Sequence, residues 1–191
     1  WDLFSDDNPA DYDYCIGSCH YVQGPKTGKY YEIDWRESDL AACIADDFDG
    51  DGLAVVEAYF ANVAKVAEKK PTILGHFDLI KKINGDGKFF DEQDPRYKAA
   101  ADAALMVAAR NRCVLEVNTS AVYRGFRKDF FPSDEILKDW LALSGNVVIT
   151  ADAHDTKALT FGYEEAAAKL KALGYSKVQV LGKDGFQACS L

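Results

Sequence analysis

The feature that most constrains the fold is a regular alternation, from residue 53 onward, of helix-like apolar spacing with short runs of continuously apolar residues. The spacing predicts helices around residues 53–66, 97–112, 133–144 and 166–173, and strands at 72–75, 113–117, 147–150 and 178–181. Continuously apolar strands that are joined by helices are typical of a parallel sheet covered by those helices. The sequence therefore predicts an α/β fold with parallel strands and outer helices.

The first 50 residues give a weaker pattern. Residues 12–17 are typical of a strand, whereas residues 21–49 are predicted to be mostly loop. No linker rich in Pro, Gly or Ser and no internal repeat divides the chain. We therefore expect its 191 residues to form a single domain.

Charge and cysteine usage restrict the expected partners. Acidic side chains outnumber basic ones by 31 to 22, and no basic run is longer than two residues, as at 69–70 and 81–82, so nucleic acid is not an expected partner. No stretch approaches the length of a membrane span, and no secretory segment follows Trp1. Five cysteines without a Cys-x-x-Cys pair argue against a disulfide framework, so a cytoplasmic location is expected. The oligomeric state stays open.

All three histidines come just after runs that are predicted to be strands: His20, His76 and His154. Because the carboxyl ends of parallel strands gather ligands and catalytic groups, we expect the three imidazoles to meet at one edge of the sheet. Asp152 lies two residues before His154, so both side chains point the same way in an extended segment, and such a pair suits a divalent metal. A single histidine at a strand end is more often a hydrogen-bonded structural residue, but three of three favour a site.

Two further polar residues end the strand at 113–117. Glu116 and Asn118 are again two apart and add a carboxylate and an amide to the same edge, although a strand-end Glu paired with a surface Lys is an ordinary finding. Cys19, next to His20, is expected to be a small buried residue rather than a catalytic thiolate.

Residues 47–52 (DFDGDG) match the first half of a calcium-binding loop. The second half does not match, because the bidentate Glu is required at position 58, which is Ala58, whereas Glu57 is one place early. An acidic entry to a helix explains the same residues, so calcium binding is not expected here.

Five blocks of sequence together resemble a known family. They are residues 14–20 (YCIGSCH), 75–82 (GHFDLIKK), 115–120 (LEVNTS), 131–133 (FPS) and 151–154 (ADAH). In this order they resemble the histidinol-phosphate phosphatases of the polymerase and histidinol phosphatase (PHP) superfamily, over about residues 11–174. The resemblance implies an incomplete, distorted (β/α)7 barrel and a cluster of up to three divalent metal ions, zinc, iron or manganese, at the strand carboxyl ends.

The resemblance also implies the metal ligands. It makes His20 and His76 ligands of one ion, Asp152 a ligand of a second and His154 a ligand of a third. Asp152 and His154 are accordingly the expected catalytic residues.

The same resemblance implies a substrate pocket lined by Glu116, Asn118 and Ser120. Family members commonly carry an arginine that contacts phosphate soon after the Asn-Thr-Ser block. Arg124 is the candidate for that arginine, and Arg127 is the alternative.

The chain departs from the family pattern at its N-terminus. The family's opening His-x-His strand and its bridging glutamate are not present, and residues 1–5 resemble the segment just after that glutamate. We therefore expect the chain to be the C-terminal two-thirds of a PHP-type domain, truncated before Trp1. The resemblance implies a metal-dependent phosphomonoester hydrolase that acts on a small phosphorylated substrate, histidinol phosphate in histidine biosynthesis. The alternatives are another phosphoesterase of the superfamily and an inactive metal-binding fragment.

Overall fold

The computed structural model describes residues 11–191, so the segment 1–5 that was compared with the family above lies outside the described residues. The described residues form the strands β1 (Ile16–Gly17), β2 (Tyr21–Gln23), β3 (Tyr30–Glu32), β4 (Ile73–Leu74), β5 (Val114–Asn118), β6 (Asn146–Thr150), β7 (Lys177–Gly182) and β8 (Gly185–Ser190). The helices are α1 (Glu37–Asp47), α2 (Gly52–Glu68), α3 (Pro95–Arg110), α4 (Ser120–Tyr123), α5 (Asp134–Ala142) and α6 (Tyr163–Ala172), with a short 3-10 helix at Leu79–Lys81.

The strands of residues 11–191 form one large sheet in the order β1-β4-β5-β6-β7-β8 and a separate hairpin of β2 and β3. The neighbours from β1 to β7 pair in parallel, which confirms the predicted parallel α/β architecture. The last strand, β8, pairs antiparallel to β7 and was not predicted. The sheet does not close on itself in the described residues, so the architecture is an incomplete barrel.

The two faces of the sheet have different surroundings, as the side chains of β5 show. Leu115 and Val117 point to the main core beneath the helices, whereas the alternate residues Val114, Glu116 and Asn118 point to the opposite face. That opposite face carries a small apolar cluster of Ile73, Val114 and Val148, against which Phe186 of β8 packs. Glu116 and Asn118 continue the same row toward the carboxyl end of β5, so the face that is apolar at its base becomes polar at its rim.

Local signals at the helix starts agree with the structure in part. Asp51 caps α2 by accepting from the N–H groups of Leu53 and Ala54. Ser133 stands at the N-cap position of α5 as predicted, but its side chain makes no capping bond. Its backbone N–H instead donates to the buried Asp78 carboxylate at 3.0 Å.

The prediction that residues 21–49 are mostly loop is wrong. This segment forms the β2–β3 hairpin and the 11-residue helix α1. The helix buries Leu40, Cys43, Ile44 and Asp47, which do have helical spacing, but the last of them is a carboxylate rather than an apolar residue. Because Asp47 is polar, the buried face of α1 did not show a complete apolar helical spacing in the sequence.

Asp47 is buried because it holds the hairpin. Its Oδ1 accepts from the backbone N–H groups of Lys26 and Thr27, each at 2.8 Å, and its Oδ2 accepts from the hydroxyls of Thr27 and Tyr31, each at 2.7 Å. The carboxylate that would open a calcium loop is therefore occupied by protein donors, and Asp51 is occupied by the start of α2.

Asp47 predicts a specific acid sensitivity. Burial alone raises the pKa of its carboxyl, but the hydrogen bonds from Tyr31 and Thr27 outweigh burial and lower the pKa below its ordinary value. A pKa that is lower in the folded than in the unfolded chain adds stability above about pH 4, and this stability is lost as pH falls further. As the pH is lowered below 4, we expect the urea concentration at the unfolding midpoint to decrease. The decrease should be less steep in Asp47→Asn, which has no carboxyl to protonate at this position. Equal pH slopes for the two proteins would contradict this role.

No helix within residues 11–191 combines the length and the apolar character that crossing a membrane requires.

Candidate active site

The carboxyl ends of the parallel strands carry a group of polar side chains, which we call the polar rim. Glu116 lies in the polar rim and is 3% exposed. Its Oε2 accepts from the backbone N–H of His76 at 2.5 Å, and its Oε1 accepts from the Thr150 hydroxyl at 2.6 Å. The side chain therefore ties the ends of β4, β5 and β6 together. Gly75, the residue before His76, is required by a different neighbour, because a Cβ there would lie only 2.4 Å from Ser18 Oγ.

Asn118, the last residue of β5, connects two carboxylates. Its fully buried amide donates from Nδ2 to Glu116 Oε2 at 3.1 Å and to Asp152 Oδ2 at 3.3 Å. Its Oδ1 accepts from both the backbone N–H and the hydroxyl of Ser120, at 2.9 and 2.6 Å. Every polar atom of this amide is used, so the orientation of Asn118 is fixed and the amide holds the carboxylates apart from each other.

Asp152 follows β6 in a backbone conformation that non-glycine residues rarely adopt, with a φ of 44°. This conformation brings its Oδ2 to the Asn118 amide and within 3.3 Å of Ser120 Oγ. Its Oδ1 lies 3.5 Å from Nε2 of His154, whose side chain is 69% exposed. A strained residue with one oxygen held by the protein and the other beside an exposed imidazole is typical of a functional position.

His76 is buried and carries an unsatisfied nitrogen. No hydrogen-bond partner reaches its Nδ1 within the described residues. Burial lowers the pKa of His76 below its ordinary value, although the Glu116 carboxylate acts in the opposite direction. The ring centroids of His76 and His20 are 4.8 Å apart, with the ring planes nearly perpendicular.

The structure thus brings together the side chains that follow β1, β4, β5 and β6. The contacts run without a break from His20 to His76, Glu116, Asn118, Asp152 and His154. The arrangement agrees with the expectation that residues at parallel strand ends converge. The roles of these residues as ligands or catalytic groups stay predictions.

Sequence reasoning missed two charged residues beside this row. Asp34, just after β3, lies 3.2 Å from His20 Nδ1 through its Oδ1 and accepts from Lys82 Nζ at 3.0 Å through its Oδ2. Burial alone raises the pKa of Asp34, but His20 and Lys82 outweigh it and lower the pKa, so the carboxylate is ionised at neutral pH. Lys82 stands in the quoted 75–82 block, whereas Asp34 lies in the segment read as loop and carries no local signal.

The two candidate arginines have different surroundings. The guanidinium of Arg124 is exposed and lies 5.0 Å from the centre of the Phe126 ring, which Lys82 Nζ also approaches to 5.1 Å. Arg127 instead forms two hydrogen bonds with Glu92, at 3.1 and 3.0 Å, and donates to the carbonyl of Lys81. Arg124 is free to meet a ligand near the rim, whereas Arg127 is already paired.

Cys19 is 2% exposed and its thiol contacts the carbonyl of Tyr21. Burial raises its pKa to about 12, so the thiol stays protonated. The expectation of a small buried residue is confirmed.

The donors at the rim suit a divalent metal in kind but not in number. The unsatisfied Nδ1 of His76, the neighbouring imidazole of His20 and Oδ1 of Asp152, which lies beside His154, are nitrogen and oxygen donors of the type that zinc, iron and manganese accept. Within residues 11–191, however, no group of three or more His, Cys, Asp and Glu side chains is placed to hold an ion. The described residues therefore offer donors that a metal accepts, but not a complete set of ligands.

Solved structures with the same fold were found. The chain superposes on the candidate histidinol phosphatase HisK of Listeria monocytogenes with a TM-score of 0.73 at 20% identity, covering 85% of this chain and 61% of that one. It superposes on the histidinol phosphate phosphatase HisK of Lactococcus lactis subsp. lactis Il1403, crystallised with zinc, L-histidinol and phosphate, with a TM-score of 0.62 at 16% identity, covering 97% and 65%. The chain thus spans less than two-thirds of either structure.

No curated protein sequence matches the chain. The sequence profile of the PHP domain, in contrast, matches residues 3–120, which is more than half of the chain. The matched region contains His20, His76, Glu116 and Asn118. On this match, and in agreement with its incomplete barrel, the chain belongs to the PHP domain family.

Proposed function

We propose that this chain is part of a metal-dependent phosphomonoester hydrolase, and that its substrate is histidinol phosphate, an intermediate of histidine biosynthesis. The observation that carries the proposal is the unbroken row of imidazoles and carboxylates joined through Asn118 at the carboxyl ends of adjacent parallel strands. The neighbour from Lactococcus lactis, crystallised with zinc, L-histidinol and phosphate, supports the same substrate class.

In this proposal each residue has a defined task. His20 and His76 would hold one divalent ion, Asp152 a second and His154 a third. Such ions, when bound, supply a Lewis acid and lower the pKa of bound water toward neutrality. Zinc, iron and manganese are all compatible with these donors.

The remaining rim residues would bind and orient the substrate. Asn118 keeps Glu116 and Asp152 in fixed positions, and the Ser120 hydroxyl lies at the same place. The guanidinium of Arg124 would pair with the phosphate oxygens, which gain charge in the transition state. His154, the most exposed member of the row, lies where a substrate can reach it.

The substrate is tested by the release of inorganic phosphate. We expect the product of the complete reading frame to hydrolyse L-histidinol phosphate faster than a panel of sugar phosphates and nucleotide monophosphates. Preference for a member of the panel would instead support another phosphoesterase of the family. The 191-residue chain is assayed in parallel at equal concentration.

The metal requirement gives a separate prediction. Treatment with a chelator is expected to abolish phosphate release, and added Zn²⁺, Mn²⁺ or Fe²⁺ to restore it, because the proposed hydrolysis needs the Lewis acid that the ion would supply. The bound metal is measured by elemental analysis before and after treatment. Full activity in a preparation free of metal would contradict the proposal.

One observation favours a second candidate, an inactive metal-binding fragment. The described residues hold no group of three ligands, so residues 11–191 alone give an ion few protein contacts. In that case the chain would bind metal weakly and release no phosphate, whereas the complete reading frame would do both. Turnover by the 191-residue chain on the order of ten per second, a typical enzyme rate, would exclude this candidate.

A further inference from the structure

A buried ion pair holds His20, and none of the roles assigned above uses it. Asp34 and Lys82 come from different parts of the chain, one after β3 and the other directly after the 3-10 helix Leu79–Lys81. Both side chains are only 9% exposed, and the two charged groups lie 3.0 Å apart. The ring of Phe126 covers the ammonium group of Lys82 at 5.1 Å.

The two oxygens of Asp34 have separate partners. Oδ2 accepts from Lys82, whereas Oδ1 lies 3.2 Å from Nδ1 of His20. An ionised carboxylate can only accept hydrogen bonds, so the neutral His20 ring must carry its proton on Nδ1 to make this contact. The lone pair of the neutral ring is then on Nε2, the nitrogen that can bind a metal.

We propose that Asp34, fixed in place by Lys82, is a positioning residue that keeps His20 in its Nδ1–H tautomer and thereby makes Nε2 the ligand atom. The inference deepens the proposed function, since it states which nitrogen of His20 serves the metal site. The tautomer itself exists whether or not the protein is a phosphatase. The two claims can therefore fail separately.

The structure gives a reason for such a device. The His20 side chain is 42% exposed, so packing confines its ring less than it confines a buried ring. A partner that is itself anchored at low exposure restricts the ring more than a mobile surface carboxylate does. The His76 ring, in contrast, is buried and therefore confined by its packing.

The first test is on the unsubstituted protein. The chain has three histidines, so nitrogen-15 NMR of labelled protein resolves each ring, and the loss of one signal in His20→Gln identifies its own. At a pH where the imidazoles are neutral we expect His20 to carry its proton on Nδ1. A dominant Nε2–H form, or an equal mixture of the two, would overturn the proposal without the need for any variant at Asp34.

The second test exchanges the carboxylate for an amide of the same shape. In Asp34→Asn, the ammonium group of Lys82 requires an oxygen, so the new NH2 group faces His20 Nδ1 and must donate to it. We expect the tautomer to change to Nε2–H. The affinity for Zn²⁺, measured by titration calorimetry, should fall by about 10- to 100-fold, the usual effect of losing the partner of a metal-binding histidine.

Asp51→Asn serves as the matched control, because asparagine caps a helix as well as aspartate does. It should leave both the tautomer and the Zn²⁺ affinity unchanged. A His20 tautomer that is the same in Asp34→Asn as in the unsubstituted protein would overturn the proposal. A changed tautomer with unchanged Zn²⁺ affinity would support the positioning role and count against His20 as a ligand in the proposed function.

Discussion

Replacing Asp152 by asparagine is expected to reduce phosphate release by about 100-fold or more, the scale of removing one charged group that stabilises a transition state. Asp152 has one oxygen on the Asn118 amide and the other beside His154, so the exchange removes the negative charge between these two residues. Asparagine, like aspartate, is among the non-glycine residues that most often adopt the positive φ of this position, so the backbone should keep its conformation. Initial rates and the metal content of the purified variant measure the effect.

Asp155→Asn provides the control, since it makes the same chemical change three residues later. Asp155 is exposed and accepts from the Tyr123 hydroxyl outside the row of contacts. Its variant should retain activity within about threefold, as ordinary surface substitutions do. Equal losses in the two variants would mean that the loop as a whole, and not the Asp152 carboxylate, is required.

The fold could be predicted wherever one periodic pattern covered a whole element. In β5 the mainly apolar residues predicted a strand of a parallel sheet, and Glu116 and Asn118 predicted that its carboxyl end is polar. The hairpin of β2 and β3 was missed because its strands have three residues each, too few to show a period. Its stability depends on Asp47, which lies 16 residues beyond Tyr31 and contacts it only in the folded chain.

The same distinction applies to the site. Residues two apart on one strand face the same way, so Glu116 and Asn118 could be placed on one rim from the sequence. Asp34 could not, because its partners are 14 and 48 residues away and contact it only through tertiary structure. The PHP domain match ends at residue 120, so the position of Asp152 beside Asn118 is likewise known from the fold and not from the match.

The polar rim lies where the carboxyl ends of the parallel strands converge. Its buried side chains are held in fixed positions by hydrogen bonds to other buried residues. Glu116, Asn118 and Asp34 each use their polar atoms on other protein groups, so they set the positions of their neighbours. His154 and Arg124, in contrast, are exposed, one beside Asp152 and the other over the ring of Phe126. The rim thus has a fixed inner part and an accessible outer part, which is the arrangement that a substrate-binding site needs.

Alanine variants of Arg124 and Arg127 are expected to affect different quantities, kcat/KM in one case and the free energy of unfolding in the other. We expect Arg124→Ala to lower kcat/KM for the phosphomonoester by about 100-fold, because a guanidinium that pairs with the phosphate binds more strongly as charge develops on its oxygens. Turnover should fall and KM should rise together. The free energy of unfolding should change little, since the guanidinium of Arg124 is exposed and lies over the face of the Phe126 ring.

Arg127→Ala should give the opposite result. It removes the guanidinium from the Glu92 carboxylate and the Lys81 carbonyl, each of which keeps a hydrogen bond from Asn84. The lost bonds include a charged pair in which Arg127 and Glu92 are 16% and 23% exposed, so we expect a loss of about 2 kcal/mol in the free energy of unfolding. Activity at a temperature where the variant is folded should stay within about threefold of the unsubstituted protein.

Urea unfolding and steady-state kinetics on both variants decide which arginine contacts the phosphate. If Arg127→Ala proves the more damaging to kcat/KM, Arg127 is the phosphate ligand and must leave Glu92 to bind it. If neither variant loses activity, the phosphate is held by the metal ions and by groups other than these two arginines.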